Sequence, residues 1–497
     1  MTMKQHGRNR AVLAGMMGLG SLLLTSCNLS PKYHRPDAAV SQTYPADAEI
    51  RPGQPAHQQV SDLGWEDFFT DPRLKALIGL SLANNRDLAA QMAAVAAEQG
   101  QYQVQNAALF PTISVGGGAQ YVGPSDTAGF AFAPGSGTSV STLRFYQTSI
   151  GFSSYEIDLW GRIRNLSQAQ KEQTLGTVEN LRNLWITTVS QVASTYIQWL
   201  ADRRLLDLAH RTARTRADTW RLNKLEYDHG ELDALTLAQS ATELEQARSD
   251  EEKETRAVAD DEHALQLLVG TPLPADLPPP LPMGRQTMIS DLPAGLPSDL
   301  LQQRPDIMAA EHSLLGAHAS VGAARAAFYP RVTLTASEGT SSLQFRRLFS
   351  HLAETWGVSP NISIPLLTWG VNEGNLRTAK AKLKQGIAEY QKAIQSAFRE
   401  VSDALTARET YRRQDSHMIV LETQAQRAYD LARMRYHAGI DSYLTTLVQE
   451  RQLYQAQQTR IMVEAARFQN MVTLYRALGG GWSRKSQGTS NTPPGHL

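Results

Sequence analysis

Tyr227-Asp228-His229-Gly230 returns as Tyr436-His437-Ala438-Gly439, an offset of 439−230 = 209 residues. Trp160-Gly161 matches Trp369-Gly370 at the same offset, and Gly270 matches Gly479. Upstream, Asp87-Leu88 matches Asp306-Ile307 and Phe110-Pro111 matches Tyr329-Pro330, both at 306−87 = 219. The offset changes only between Pro111 and Trp160, so the first copy carries an insertion of 219−209 = 10 residues there. The period is far too long for a solenoid unit, so each copy is a small domain and the pair predicts two pseudo-symmetric halves.

Each copy reads as helix, strand pair, long helix, helix. Before the first copy, Asp71-Pro72 places a capping carboxylate ahead of a proline at the first helical position, and Leu74, Leu77, Ile78 and Leu82 follow at helical spacing. The first helix is expected over about 87–109, stopped by Phe110-Pro111, and its partner over about 305–328, stopped by Tyr329-Pro330. Strands are expected over 112–118 and about 145–159, then from Val332 to Ser337 and from Trp356 to Leu366. In the last of these, Trp356, Val358, Ile362, Ile364 and Leu366 share one parity. Residues 123–141, rich in Gly, Ser, Thr and Pro, read as an exposed loop holding the insertion. No proline follows Trp160-Gly161 until Pro272, and none follows Trp369-Gly370 until beyond Gly481. Helices of about 68 residues, on the order of 100 Å at 1.5 Å per residue, are therefore expected over 162–229 and about 372–438. Shorter ones follow over 232–269 and 442–478. Thin apolar stripes such as Leu181, Leu184, Val189, Val192 and Ile197 suit helix-on-helix seams. The two shorter helices of a copy, stacked end to end, nearly match the long one, so each copy supplies two columns of similar length to a wall.

Lys4, Arg8 and Arg10 precede the apolar run Ala11 to Leu24, too short to span a bilayer as a stable helix. Residues 1–26 thus read as an export signal. Leu24-Thr25-Ser26-Cys27 resembles the bacterial lipobox, which implies lipidation (palmitate) at Cys27, and Asn28 in place of Asp implies outer-membrane sorting. The alternative is an ordinary signal peptide with a stray cysteine. Cys27 is the only cysteine, which excludes a disulfide within the chain and a cysteine metal site. The expected organisation is a tether over 27–62, a first repeat over 63–270, a Pro-rich strap over 271–297, a second repeat over 298–482 and a disordered tail over 483–497. Lys and Arg total 48 and Asp and Glu total 48, so no basic footprint points to nucleic acid. No later segment has some 18 consecutive apolar residues, whereas a β-barrel stays open because its strands alternate.

One chain offers four strands, which cannot close a barrel, and open edges are not tolerated in lipid. Three chains would offer twelve strands and twelve helical columns. A twelve-stranded barrel has a backbone diameter of roughly 24 Å, wide enough for solutes. The expected fold is mainly α with a small transmembrane β part: a homotrimeric twelve-stranded β-barrel continued by a twelve-column α-helical barrel.

The motifs converge on the same answer. Trp65-Glu66-Asp67-Phe68-Phe69-Thr70-Asp71-Pro72-Arg73-Leu74 resembles the W-x-x-F-x-D-P-x-L opening of the outer-membrane factor family, and Ala83-Asn84-Asn85-Arg86-Asp87-Leu88 its next signature. Leu296 to Ile307 is similar to the L-P-S-x-L-L-x-x-R-P-D-I segment, and Arg435 to Leu444 to the R-Y-x-x-G-x-x-x-Y-L turn. The resemblance points to the lipoprotein, OprM/NodT-type branch of TolC-like channels. It implies an outer-membrane efflux channel reaching into the periplasm, served by a periplasmic adaptor and an inner-membrane pump of RND type. Drugs or other small toxic compounds are the implied cargo. The rival is a lipid-anchored periplasmic coiled-coil scaffold or adaptor without a pore. The apolar face of the Trp356 strand speaks against it.

No cofactor or metal is expected. Gly116-Gly117-Gly118 lacks the setting and lysine of a phosphate loop, His312 and His318 lack zinc spacing, and no serine sits in a G-x-S-x-G elbow. The candidate sites lie elsewhere. Gly230 and Gly439 are expected to supply left-handed turns at two hairpin tips, over 228–233 and 437–442. In the family these tips close the pore at its periplasmic end. Asp441, with Arg435, Glu231 and Asp233, is the gate candidate. Three copies of Asp441 would form a negative ring, and the alternative is that Asp441 caps the final helix. Arg435 could pair with acids of a neighbouring helix. Trp160 and Trp369, where strand meets helix, are candidate anchors at the lipid headgroups, or else packed structural tryptophans.

Overall fold

A computed structural model describes residues 28–37, 40–41, 63–123, 143–286 and 304–480. The signal, Cys27, most of the tether, much of the strap and the tail fall outside the described residues. In chain order the elements are α1 Pro72–Asn84, α2 Arg86–Ala107, β1 Ser114–Val122, β2 Leu143–Ile157, α3 Arg162–Asp228, α4 Ala234–Val269, α5 Pro305–Ala326, β3 Arg331–Ser342, β4 Glu354–Ser363, α6 Val371–His437 and α7 Tyr443–Ala477. The order of helix, hairpin, long helix and helix occurs twice, and α3 and α6 have 67 residues each. Several expected strand ends move, and the third strand runs on past Ser337 to Ser342. The first strand starts later and runs on to Val122, because Gly116-Gly117-Gly118 joins the ladder instead of closing it. The last strand stops at Ser363, so Ile364 and Leu366 lie beyond it. Pro365 has no N–H to donate to a ladder there.

The described residues fall into two compact units. The first holds the sheet with residues 28–35, the end of α2 from Ala96, the start of α3 to Leu175, α5 from His312 and α6 to Ala388. Its sheet is antiparallel in the order β1-β2-β3-β4. A bulge between Phe152 and Tyr155 shifts the β2–β3 register. There Ser154 takes φ 55° and donates its N–H to the Thr335 hydroxyl at 3.1 Å.

The second unit is helical, and a buried carboxylate organises its start. Asp71 Oδ1 accepts from the Arg73 N–H, which caps α1. Its Oδ2 accepts from the Tyr196 hydroxyl of α3 at 2.8 Å, the Gln286 amide at 2.6 Å and the Leu281 N–H at 3.2 Å. The charge and burial push the Tyr196 hydroxyl well above its ordinary pKa, burial foremost. One side chain thus ties the entry to the first repeat to its long helix and to the segment after α4. Phe68 stacks on Tyr475 of α7 at 4.2 Å beside it, and the Tyr475 hydroxyl donates to the Leu63 carbonyl.

The end-to-end stacking of short helices has a visible device, used twice. The Asn85 amide, just before α2, donates to the Leu268 carbonyl at the end of α4 at 2.9 Å. Arg304, just before α5, donates to the Ala477 carbonyl at the end of α7, also at 2.9 Å. These pairs are related by the same offsets of 219 and 209 as the sequence repeats. Each satisfies an orphan carbonyl at a helix C-terminus. Arg304 adds a fork to Asp306 and a bond to Glu400.

Asp202 of α3 and Asp261 of α4 face each other, and Gln198 donates to Asp202 at 3.0 Å. Burial first, then the hydrogen bond and charge of Asp202, raise Asp261 to about 7.

Two outcomes are expected. Asp71→Ala strands a buried hydroxyl, an amide and an N–H, at a cost of about 3 kcal/mol, read as a lower midpoint in thermal unfolding. Asp261 holds its proton in the folded chain up to about pH 7, whereas the unfolded chain releases it near pH 4. The folded state therefore binds more protons in that window, and stability falls as pH rises through it. Asp261→Asn removes that fall, so its melting-temperature advantage over the parent is larger at pH 8 than at pH 5.

Candidate functional site

Antiparallel partners share a face, so the register sorts the sheet into two surfaces. One surface carries Ile157, Val332 and Ile362; Tyr155, Leu334 and Pro360; Phe152, Ala336 and Val358; and then Ile150 and Trp356 on either side of Glu338, the one charge in these four rows. The other carries Glu156, Thr333 and Asn361; Thr335 and Ser359; Gly151, Ser337 and Gly357; and Ser149, Gly339 and Thr355. The apolar surface is not buried by the chain. Trp356 is 81% exposed, and Val115, Ile150, Val358 and Ile362 are exposed with it. A sheet with an apolar exposed face and a small, polar opposite face matches a wall with lipid on one side and water on the other. Among the described residues no helix is long and apolar enough to cross a membrane.

The junction tryptophans part company. Trp160 packs on Tyr329 with ring centroids 4.8 Å apart and donates its indole N–H to the Pro330 carbonyl at 2.9 Å. Trp369 is 87% exposed and takes φ 50°, followed by Gly370 at 84°. A bulky residue in the left-handed region is strained. At the matching junction of the first copy the glycine, Gly161, is left-handed and Trp160 is not.

The two hairpin tips share one construction. Gly230 takes φ 77° and Gly439 φ 71°, a conformation that favours glycine. At the first tip the Glu231 N–H donates to the Glu226 carbonyl and the Gly230 N–H to that of Tyr227; at the second, Ile440 donates to Arg435 and Gly439 to Tyr436. This is the Schellman closure of a helix end. The helix starts that follow differ. Asp233 caps α4, accepting from the Thr236 N–H at 2.9 Å and its hydroxyl at 2.7 Å, which hold its carboxyl below the usual range. The corresponding cap of α7 is Ser442, without a side-chain bond, so Asp441 is not the helix cap. It takes a two-point grip from Arg435 instead, Nε to Oδ2 at 2.6 Å and Nη2 to Oδ1 at 3.0 Å. The Arg435 guanidinium holds the Asp441 carboxyl below its ordinary pKa. Arg435 thus pairs within its own turn rather than with a neighbouring helix, because the left-handed glycine folds the chain back on itself.

Sequence reading missed a charged network up the same hairpins. Arg216 of α3, buried, bonds Glu450 of α7 at 3.2 Å and the Glu243 carbonyl of α4 at 3.1 Å, and Arg451 pairs with Glu243. Tyr443 and Tyr454 close around it, both pushed up to about 12, by burial first. Its signal in the sequence is faint, because each member sits among many solvated charges of long helices.

Residues 28–33, directly after Cys27, have a fitted seat. Asn28 Oδ1 accepts from the Asn165 amide at 2.9 Å, the Ser30 hydroxyl lies 3.3 Å from His318 Nδ1, Tyr33 meets the His318 ring edge-on, and Arg325 donates to the Leu29 carbonyl. Burial lowers the His318 pKa. A Cβ at Gly322 would come within 2.7 Å of the Asn165 amide nitrogen and 2.9 Å of the Ser30 Cα. Gly322→Val is therefore expected to lift this stretch and increase tryptic cleavage after Lys32 several-fold, followed by mass spectrometry of the released peptide.

Comparison with known proteins fits this geometry. The family described as outer membrane efflux protein matches residues 77–271 and 296–480. The probable efflux pump outer membrane protein TtgC of Pseudomonas putida is 38% identical over 485 residues, covering 96% of this chain and 99% of that one. The outer membrane protein OprJ of Pseudomonas aeruginosa is 34% identical over 463 residues, 93% of this chain and 94% of that one. Among solved structures, the open state of the Neisseria gonorrhoeae MtrE outer membrane channel superposes with a TM-score of 0.83 at 32% identity, covering 93% of this chain and all of that one.

Proposed function

The chain belongs to the outer membrane efflux protein family and is an efflux channel of the outer membrane; from that premise we propose that it works as a homotrimer that conducts passively. Cargo, drugs or other small toxic compounds, arrives from an inner-membrane pump of RND type through a periplasmic adaptor. The observation that carries this reading is the four-stranded sheet with one exposed apolar face and two unpaired edges. A single chain cannot leave strand edges open in lipid, and three sheets joined edge to edge make a closed barrel of twelve strands. The polar face then lines the lumen. Lipidation at Cys27 adds an anchor, and the seat for residues 28–33 supports it by holding the adjoining stretch beside the Trp160-Gly161 junction. Trp369, exposed at the matching junction, suits a headgroup anchor, whereas Trp160 has a packing role.

The tips at Gly230 and Gly439 form the periplasmic gate in this reading. Asp441 then contributes a ring of ion pairs with Arg435 rather than a ring of bare carboxylates. Glu231 and Asp233 add charge at the first tip. Exposed pairs of this kind are weak, so the gate is held by geometry and number rather than by one strong bond.

Full-length protein extracted in mild detergent is expected to weigh as a trimer by native mass spectrometry and to give discrete steps in planar bilayers. A silent monomer would sink the reading, and a silent trimer would mean that the tips are shut without their partners. In the same recordings Asp441→Ala is expected to raise conductance or weaken block by multivalent cations, and Arg435→Gln, which bares the carboxylate, to strengthen that block.

A further inference from the structure

Under the polar face of the sheet lies a cavity of about 370 Å³ that the tips and the lipid-facing surface do not account for. Its walls come from the inner ends of β2, β3 and β4, the end of α5 and the starts of α3 and α6. Its charge is uneven. Arg162 grips Glu156 through two bonds of 2.8 and 2.7 Å. Arg331 stands farther from the same carboxylate, Nε 3.4 Å from Oε2, and its side chain is 54% exposed. Next door, Arg164 pairs with Asp158. Three guanidinium groups therefore meet two carboxylates, and the guanidinium with donors to spare is Arg331. Asn361 and Thr333, ladder partners on the polar face, add an amide and a hydroxyl to the wall. The lining also holds two aromatic rings, Trp160 and Tyr329, tilted against each other with centroids 4.8 Å apart.

We propose that this cavity is a binding subsite for a small organic anion with an apolar body, such as an aromatic carboxylate or sulfonate, with Arg331 as the residue that takes the charge. Glu156 is already neutralised by Arg162, so an arriving anion meets a net positive centre rather than an ion pair. The fork of Arg331 suits a planar or tetrahedral oxyanion, which accepts two N–H bonds at once. The Trp160 and Tyr329 rings offer apolar surface to the body of the anion. In the trimer there are three such subsites, one per chain, facing the lumen where the barrel passes into the helices. That placement rests on the reading of the polar face as the lining of the pore; the cavity itself lies within one chain.

The test is a fluorescence titration of the full-length, detergent-extracted protein with 1-naphthalenesulfonate, with neutral 1-naphthalenemethanol as the control. Binding does not require an open gate, so the result is separate from the conductance that tests the channel. The expected result is saturable binding of the sulfonate at one site per chain. Arg331→Gln weakens it by about tenfold, and Arg331→Lys recovers part of the loss. Asn361→Leu, which leaves every charge in place, weakens it less, and the neutral control is indifferent to all three changes. Equal affinity in the parent and Arg331→Gln would overturn the proposal, as would a neutral compound bound as tightly as the sulfonate. A protein that binds as expected but weighs as a silent monomer would keep the subsite and discard the pore.

Discussion

The outer backbone groups of β1 and β4 have no ladder partner within the described chain, while the face they border is apolar and uncovered. In hydrocarbon an unsatisfied N–H or C=O costs several kcal/mol, and four strands cannot curl far enough to satisfy their own edges. Everything larger about the molecule answers that constraint. In the proposed trimer the sheet is continued by copies of itself. Gly116, Gly118, Gly151 and Gly339 keep its polar face low where that face lines the proposed lumen. The two long helices that follow its hairpins have 67 residues each, and in the proposed channel they carry the wall.

Within the helical unit, a few well-satisfied polar joints cross a buried apolar interior that includes Phe68, Leu74, Ile78, Val192 and Tyr475. Asp71 has a buried carboxylate, which would be costly alone, but it accepts four hydrogen bonds from three parts of the chain. Asn85 and Arg304 do the corresponding work for helix stacking. A short side chain suffices in the first copy. In the second a longer, charged one spans the gap and brings Asp306 and Glu400 with it. Duplication preserved the joint while the chemistry at it diverged.

The tips show the same divergence. Their glycine closures are superposable bond for bond, yet the acidic residues beyond them differ in task. Asp233 caps a helix, whereas Asp441 is claimed by Arg435 before any cap can form. A carboxylate already gripped at two points offers less field to a passing cation than a bare one. In the proposed gate the guanidinium therefore matters as much as the acid.

Much of this was legible in one dimension. The offsets of 209 and 219, the proline-free stretches and the parity of Trp356, Val358 and Ile362 determined the duplicated order, the helix lengths to within a residue or two and the existence of a two-faced sheet. These features are local or periodic, and backbone geometry converts them directly into structure. Cys27 lies outside the described residues. Only the tertiary structure decided which polar side chains meet. Asp441 read as a possible cap because sequence distance places it near a helix start, and it took folding of the turn to show that Arg435 reaches it first. Arg216 with Glu243 and Glu450, Asp202 with Asp261, and Arg331 with Glu156 join residues from different elements. Trp160 and Trp369 are identical in the repeat, but only one found a partner ring and a carbonyl. Such pairings depend on which faces of separate elements come together, and that is set by packing in three dimensions rather than by any spacing along the chain.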